Sequence, residues 1–587
     1  MRANVTNLPL TCSLLALCFA RVSWSQSSTN AATIPLPPSP KDRYLIKIPA
    51  AAAGSEVSTF SGRLILFLTP DSPRWAEVEP ASGPFFEKLQ PIASIALNGA
   101  KAGDTYVFEP ERATVFGGPL EALDGSWRVQ AVLDSDFTTR GHLGPGNLVS
   151  QTSTVELSRE RADELTIELT ETIPPQTFPQ STAVTFIDRK SALMSAHFGR
   201  TFNMRASAVL PYGYHDLTYD RRMWPTIYVI GGYGANHLAA LNAAAALQSP
   251  QARAALPQAV WVFLDADTPW GHSGMCDSPA SGPIGRALVE EFIPFLEERF
   301  RLIATTQARI VTGHSSGGWS ALHLQLTYPE VFGACFASAP DPVDFSAFQC
   351  TDLLRDLSLF VSRDGTETPS HRGVLGPNDD RVFMTVRDEV ASENAIDPDG
   401  RSGEQWAAWD AMWSPWDAAR NAPRRLCDAT TGAIDPVTVE AWLRHDLARM
   451  CAREPAKYAT LFDERIRLLC GSRDSFYLNL AVTRLKAKLE VWREAARAKS
   501  AANTAANAPV SAPVSAPGYI EVIDGLTHDS LYPLAQIRFH QGMTEHLRAH
   551  GLNDPAPKNQ DMHGAQPHNA SGEGAPNRDT APTLQPQ

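Results

Sequence analysis

Arg309-Ile310-Val311-Thr312-Gly313-His314-Ser315-Ser316-Gly317-Gly318-Trp319 is the stretch on which the fold turns. Arg309–Thr312 is a short β-branched run and predicts a buried strand. Beyond Gly317, Trp319, Leu322 and Leu326 recur at helical spacing, and that helix must stop before Pro329. G-x-S-x-G alone is a common pattern. Between a strand and a helix it is the tight turn that lifts a serine hydroxyl above the end of a sheet. The flanking glycines suit a turn whose helix packs close. Ser315 is therefore the candidate nucleophile. Ser316 fails the pattern, because the first glycine position counted from it is His314. The helix N-terminus behind Ser315 favours developing negative charge.

The strand before the turn belongs to a series. Thr226–Ile230, Ala259–Leu264, Arg309–Thr312, Gly333–Ala337, Ile466–Cys470 and Tyr519–Ile523 are short apolar runs, separated by helix-patterned stretches. Near-continuous apolar strands alternating with helices predict a mainly parallel sheet covered on both faces, an α/β fold. One of the helices carries Leu288, Phe292, Phe295, Leu296 and Phe300, and Pro294 should kink or restart it.

A serine hydroxyl needs a base, and the base needs an orienting acid. In this topology they follow in the order serine, acid, histidine, on loops after later strands. Ile466–Cys470 runs into Gly471-Ser472-Arg473-Asp474, and Tyr519–Ile523 runs into Asp524-Gly525-Leu526-Thr527-His528. Asp474 and His528 are the candidates. Asp341 and Asp344, after the strand that follows the elbow, are rivals for the acid. His540, His546 and His550 fall on a terminal helix pattern. An oxyanion hole needs two backbone N–H donors. Ser316 supplies one, and Gly231-Gly232-Tyr233-Gly234, after Thr226–Ile230, supplies the other through Tyr233. That loop lacks the lysine of a P-loop and the full G-x-G-x-x-G, so it does not read as a nucleotide cradle.

These segments, with Tyr228–Gly234, Gly313–Trp319, Tyr328-Pro329-Glu330-Val331-Phe332-Gly333, Gly471–Leu478 and Thr527–Tyr532, resemble one group of α/β-hydrolases. The group holds esterase D, enterochelin and feruloyl esterases, and mycolyltransferases. The resemblance covers about 200–350 and 460–550. It implies an α/β-hydrolase fold, a triad of Ser315, Asp474 and His528, and oxyanion donors from Tyr233 and Ser316. The leading reading is hydrolysis of a carboxylic ester through an acyl-enzyme, with no cofactor and no metal expected. The substrate would be a small-molecule or polysaccharide-linked ester. Acyl transfer by the same triad is the alternative, since the outcome depends on whether water or another acceptor reaches the acyl-enzyme. A ligand-binding protein on a hydrolase scaffold is a third reading, disfavoured by the intact set Ser315, Asp474 and His528.

The rest of the 587-residue chain surrounds this unit. Residues 1–25 carry Arg2, a short apolar core at Leu10–Ala20 and a small-residue cleavage pattern, Ser23-Trp24-Ser25, so they read as a signal peptide. The expected location is exported, periplasmic or extracellular. The apolar run is too short to span a bilayer. Cys18 follows Leu17 rather than a small residue, which argues against a lipoprotein site. Residues 26–41, rich in Ser, Thr and Pro, read as a linker. From 42 to 180, Arg63–Leu68, Thr105–Phe108, Trp127–Val132 and Leu165–Leu169 predict a β-sandwich-like domain. The catalytic unit is expected over 181–350 and 460–552. A helical, cap-like insertion fills 351–459, with Asp435-Pro436 starting a helix that carries Val439, Leu443, Leu447 and Met450. Trp406, Trp409, Trp413 and Trp416 recur at helical spacing and read as the core of that cap or, alternatively, as an aromatic substrate wall. Trp270-Gly271-His272 and Cys276-Asp277-Ser278 lie on a strand-end loop and read either as pocket lining or as core. The low-complexity tract at 497–517 and the tail at 553–587 predict disorder.

The formal net charge of -13 and the absence of a long basic run exclude a nucleic-acid partner. Cys276, Cys335, Cys350, Cys427, Cys451 and Cys470 remain beyond the leader; six permit disulfides without fixing a pairing. No C-x-x-C pair offers a thiolate zinc site.

Overall fold

Eight strands form the central sheet in the computed structural model of the chain. The structure describes residues 43–49, 59–82, 90–108, 113–160, 164–178, 181–215, 222–249, 256–376, 378–503 and 517–552. The expected leader at 1–25, the expected linker at 26–41, the tail at 553–587 and most of the 497–517 tract lie outside these residues. The strands are β1 Val184–Lys190, β2 Asn203–Val209, β3 Thr226–Ile230, β4 Val260–Leu264, β5 Arg309–His314, β6 Ala334–Ser338, β7 Ile466–Gly471 and β8 Tyr519–Ile523. They lie side by side in the order β1-β2-β4-β3-β5-β6-β7-β8. β2 runs antiparallel to both neighbours, and every other pairing is parallel. β4, β6 and β7 are buried along their whole length, as strands covered on both faces must be. The sheet is that of an α/β-hydrolase. The chain leaves β3 to one side for β4 and returns on the other for β5. This reversal opens a crevice at the C-terminal ends of β3 and β5, where ligands bind in such sheets.

The helices that shape the site are α1 Ala239–Leu247, α2 Ser316–Thr327, α3 Val386–Ile396, α4 Gln405–Trp413, α5 Asn479–Asn503 and α6 His528–Ala549. Pro294 acts as its chemistry requires. A π-helical turn at Leu288–Phe292 precedes a new helix, Ile293–Arg299, and the missing N–H of Pro294 falls in the first turn, where no acceptor is lost.

Between β6 and β7 the insertion is not wholly helical. It contains a hairpin, Pro369–Gly376 paired with Asp379–Thr385. Asp435 caps its helix as expected, accepting from the Val437 N–H. That helix stops at Trp442, however, and a second one, Leu447–Cys451, starts on its own cap, Asp446. The expected single apolar face is thus broken in two. The tract from 497 also differs in part, because α5 continues to Asn503.

Ahead of β1 stand two further sheets. Arg43–Lys47 pairs with Thr105–Phe108 and Glu164–Glu168; a larger, antiparallel sheet is centred on Thr59–Pro70, Ile92–Lys101 and Gly125–Asp134. Tyr44 and Ile46 of the small sheet share one core with Leu64, Leu66, Leu68, Val129 and Ala131 of the large one. The opposite face of the large sheet is covered as well. Ile65, Phe67, Ile92 and Val132 pack on Ala395 and Ile396 of α3, and buried Arg63 lies 3.8 Å from Asp397. The N-terminal region is thereby anchored to the insertion. Among the described residues no helix is long and apolar enough to cross a membrane.

Candidate active site

Ser315 sits between β5 and α2 with φ 59° and ψ -130°. A non-glycine residue held there costs about 1–3 kcal/mol, so its surroundings must enforce it. They do so at both ends. The Ser315 N–H donates to Ser338 O of β6 at 3.0 Å, and the Trp319 N–H donates to Ser315 O at 3.1 Å. The motif glycines explain themselves by contact. A Cβ on Gly313 would come within 2.1 Å of Gly317 O, and one on Gly317 within 2.1 Å of Ile230 O. Backbone meets backbone there, and neither side can yield without moving β3 or α2. Gly317→Ala should therefore lower the melting temperature by several degrees, the effect of about 1–3 kcal/mol of overpacking. An unchanged thermal melt would contradict this packing.

His528 is the first residue of α6, placed by a capping box in which the Thr527 side chain accepts from the Ser530 N–H. Its Nδ1 lies 2.8 Å from Asp474 Oδ2. A carboxylate only accepts, so Nδ1 carries the proton and Nε2 is left with a lone pair. The other carboxylate oxygen, Oδ1, accepts from the Phe476 and Leu478 N–H groups at 3.0 and 3.2 Å. Burial opposes a charge on His528, but the Asp474 charge and hydrogen bond outweigh it and the imidazole titrates above its ordinary value. Burial would likewise raise Asp474; the His528 charge, its hydrogen bond and the two N–H donors hold it below the usual carboxylate value. His314, with its ring 4.4 Å from that of His528, is pushed down to about 3, chiefly by burial, and stays neutral.

The loop after β3 lies against the elbow. A Cβ on Gly232 would meet Ser315 Cβ and His314 O at 3.1 Å, so Gly232 lets the two loops touch. Ser316 is the first residue of α2, and its N–H has no acceptor within the helix. His272 Nε2 lies 3.0 Å from Gly231 O and steadies the loop from the side. Arg140 reaches in from the N-terminal region. Its guanidinium lies 4.5 Å from the Tyr233 ring centre, donates to Gly403 O at 2.9 Å and to Asp267 Oδ1 at 3.2 Å. One side chain thus ties the Tyr233 loop to the strand-end loop after β4 and to the insertion. Arg140→Ala should lower kcat about tenfold or more if the loop loses its position, since misplacement of about 1 Å costs on the order of 100-fold. Unaltered steady-state rates would show that the loop stands without it.

Ser315 and His528 open onto one cavity of about 670 Å³. Gly232 and Tyr233 line it on one side of the serine. Leu247, Leu256, Trp261 and Phe263 form an apolar arm under α1; Asp341, Gln349, Glu389 and Gln405 form a polar wall from the insertion side. Among the described residues no group of three or more His, Cys, Asp or Glu side chains is arranged to hold a metal ion.

A family model described as "Putative esterase" matches residues 201–512, just over half of the chain. The chain belongs to that family. It is a serine ester hydrolase by class. The matched span contains Ser315 and Asp474, and His528 lies beyond it. Solved structures similar to the esterase include a ferulic acid esterase, at 14% identity over 62% of this chain and 98% of that one, with a TM-score of 0.36. A ferulic acid esterase from Anaeromyces mucronatus follows at 13% identity, covering 64% and 94%, with a TM-score of 0.29. An S-formylglutathione hydrolase from Staphylococcus aureus has 15% identity, covers 61% and 98%, and has a TM-score of 0.31. No curated protein matches.

The rival acids differ in position: Asp341 lines the cavity and Asp344 does not. Asp344 caps the turn at Phe345–Ala347 and pairs with Lys488. Asp341 accepts from Trp409 Nε1 at 2.8 Å, and burial pushes it up to about 6. Trp406, Trp409 and Trp413 are buried against Phe345, Phe348 and Trp442, whereas Trp416 is partly exposed and faces Trp270. Trp270, His272 and Cys276 do not line the cavity; Cys276 lies 3.3 Å from His445 Nδ1. All six described cysteines are free thiols. The insertion hairpin braces the Asp474 turn. Arg372 donates to Asp474 O at 3.0 Å and covers the Tyr477 ring, and Asp380 binds Arg473. Arg140, Arg372, Gln349 and Glu389 leave no sign at the level of sequence, since none sits in a local pattern.

Proposed function

We propose that the esterase cleaves a carboxylic ester through an acyl-enzyme formed on Ser315. The observation that carries this reading is the His528–Asp474 hydrogen bond beside a strained serine at the mouth of one cavity. His528 Nε2 takes the Ser315 proton as Oγ attacks the ester carbonyl, and Asp474 stabilises the imidazolium. The Tyr233 and Ser316 N–H groups receive the oxyanion. Collapse expels the alcohol, which takes the proton from His528. Water, deprotonated by the same imidazole, then releases the acid and restores Ser315.

We further propose that residues 42–180 form a sandwich-like domain that braces the Tyr233 loop through Arg140, and that 351–459 act as a cap. Export is proposed on the leader pattern at 1–25. The test is labelling with a fluorophosphonate, followed by a panel of acyl and aryl esters. Absence of both labelling and hydrolysis would sink the reading.

A pH dependence follows. The base must be neutral, and His528 titrates above its ordinary value of about 6.5. kcat/KM should therefore fall on acidification through an inflection above 6.5. An acid limb below that value would assign the base to another group.

A further inference from the structure

The polar wall of the cavity carries two carboxylates held in place by indoles. Trp409 Nε1 donates to Asp341 Oδ2 at 2.8 Å, and Trp406 Nε1 donates to Glu389 Oε2 at 2.9 Å. Ser370 also bonds Glu389 Oε2, so both partners use one oxygen of that carboxylate. Gln349, only 3% exposed, lines the same cavity, and its Oε1 has no hydrogen-bond partner. Its backbone is held at φ 50°, a conformation that costs free energy in a non-glycine residue. A buried, unsatisfied amide oxygen costs about 1–3 kcal/mol, a cost a ligand donor would remove. The charge balance points the same way. The lining holds Asp341, Glu389 and Asp529, and no Lys or Arg. Such a wall repels an anion and offers lone pairs to a donor.

We infer that this wall is a specificity subsite that accepts hydrogen bonds from the substrate, so the natural ester carries a hydroxyl or ammonium group and no anionic group. This rests on the proposed reading of Ser315 and His528 as the reacting pair. The apolar arm under α1 takes the remainder of the substrate, and Gln349 and Glu389 select the donor-bearing part. A ligand lacking the donor leaves those acceptors unpaired, which is how a polar site rejects an apolar analogue.

The test uses a series of aryl esters, and their amide counterparts, that differ at one position: hydrogen, hydroxyl, aminomethyl or carboxylate. Calorimetric binding of the amides to the full chain should place hydroxyl or aminomethyl about tenfold tighter than hydrogen, and carboxylate weakest. Whichever of the two donors binds better identifies the group. Gln349→Leu should shrink the hydroxyl advantage, and Glu389→Gln the aminomethyl advantage. Should Gln349→Leu fail to fold by thermal melt, the wild-type series and Glu389→Gln still decide. Equal binding of the hydrogen compound, or tightest binding of the carboxylate, overturns the subsite. Donor preference in binding without turnover of any ester would instead overturn the hydrolytic reading and leave the subsite standing.

Discussion

Replacing Ser315 by alanine is expected to lower kcat for a generic aryl ester by about 10⁵–10⁶ and to abolish fluorophosphonate labelling. The loss is that large because the serine and its base act as a unit, and what remains is oxyanion stabilisation and binding alone. Ser315 is held at φ 59° by backbone on both sides, so its hydroxyl can be removed without disturbing the turn. The melting temperature should hold or rise slightly, as the loss of a hydroxyl costs no packing at a cavity wall. Ser316 is the control. The residue is only 1% exposed, so its hydroxyl is shielded from a probe, and Ser316→Ala should remain labelled. Labelling that survives in Ser315→Ala and vanishes in Ser316→Ala would move the nucleophile by one residue.

What the sequence disclosed follows from the range of the interactions. The strands from β3 onward are legible because each is an apolar run bounded by turn residues, and β3 and β8 coincide with their expected limits. β1 and β2 were missed. β1 ends Asp188-Arg189-Lys190, all exposed, and so lacks the run that marks a central strand. The hairpin at 369–385 was missed for a similar reason, since it is half-exposed and irregular in register. Reading 497–503 by low complexity overlooked propensity: Arg497, Ala498, Lys499 and Ala501 are good helix formers, and α5 runs through them. In the proposed site, Ser315, Asp474 and His528 are legible as candidates because each stands just after a strand; of these the structure places the acid and the histidine 2.8 Å apart. Arg140 was not readable. Its partners Asp267 and Gly403 lie 127 and 263 residues away, and no local pattern encodes such contacts. Gln349 and Glu389 were hidden likewise, because a cavity wall assembled from the end of the catalytic unit and from the insertion has no period.

The Asp474→Asn variant is expected to lose about 10⁴ in kcat, the loss that the same change causes in a serine-protease triad. The amide would turn the histidine to the wrong tautomer. An amide can present its NH₂ to Nδ1, and Nε2 then carries the proton and cannot take one from Ser315. Oδ1 at present accepts from the Phe476 and Leu478 N–H groups, so the asparagine oxygen has a ready place and its NH₂ is directed at His528. The fold should survive, because Arg372 and the hairpin hold the turn through Asp474 O rather than through the side chain. The acid limb should also move to lower pH, since the charge that lifts His528 is gone while burial still opposes its protonation. Asp341 is the neighbour to watch. It lines the cavity and its charge also favours the protonated His528. If Asp341→Asn cripples turnover and Asp474→Asn leaves it within tenfold, the orienting acid lies after β6. Asp344→Asn should leave turnover intact and cost stability instead, because that carboxylate caps a turn and pairs with Lys488 away from the cavity.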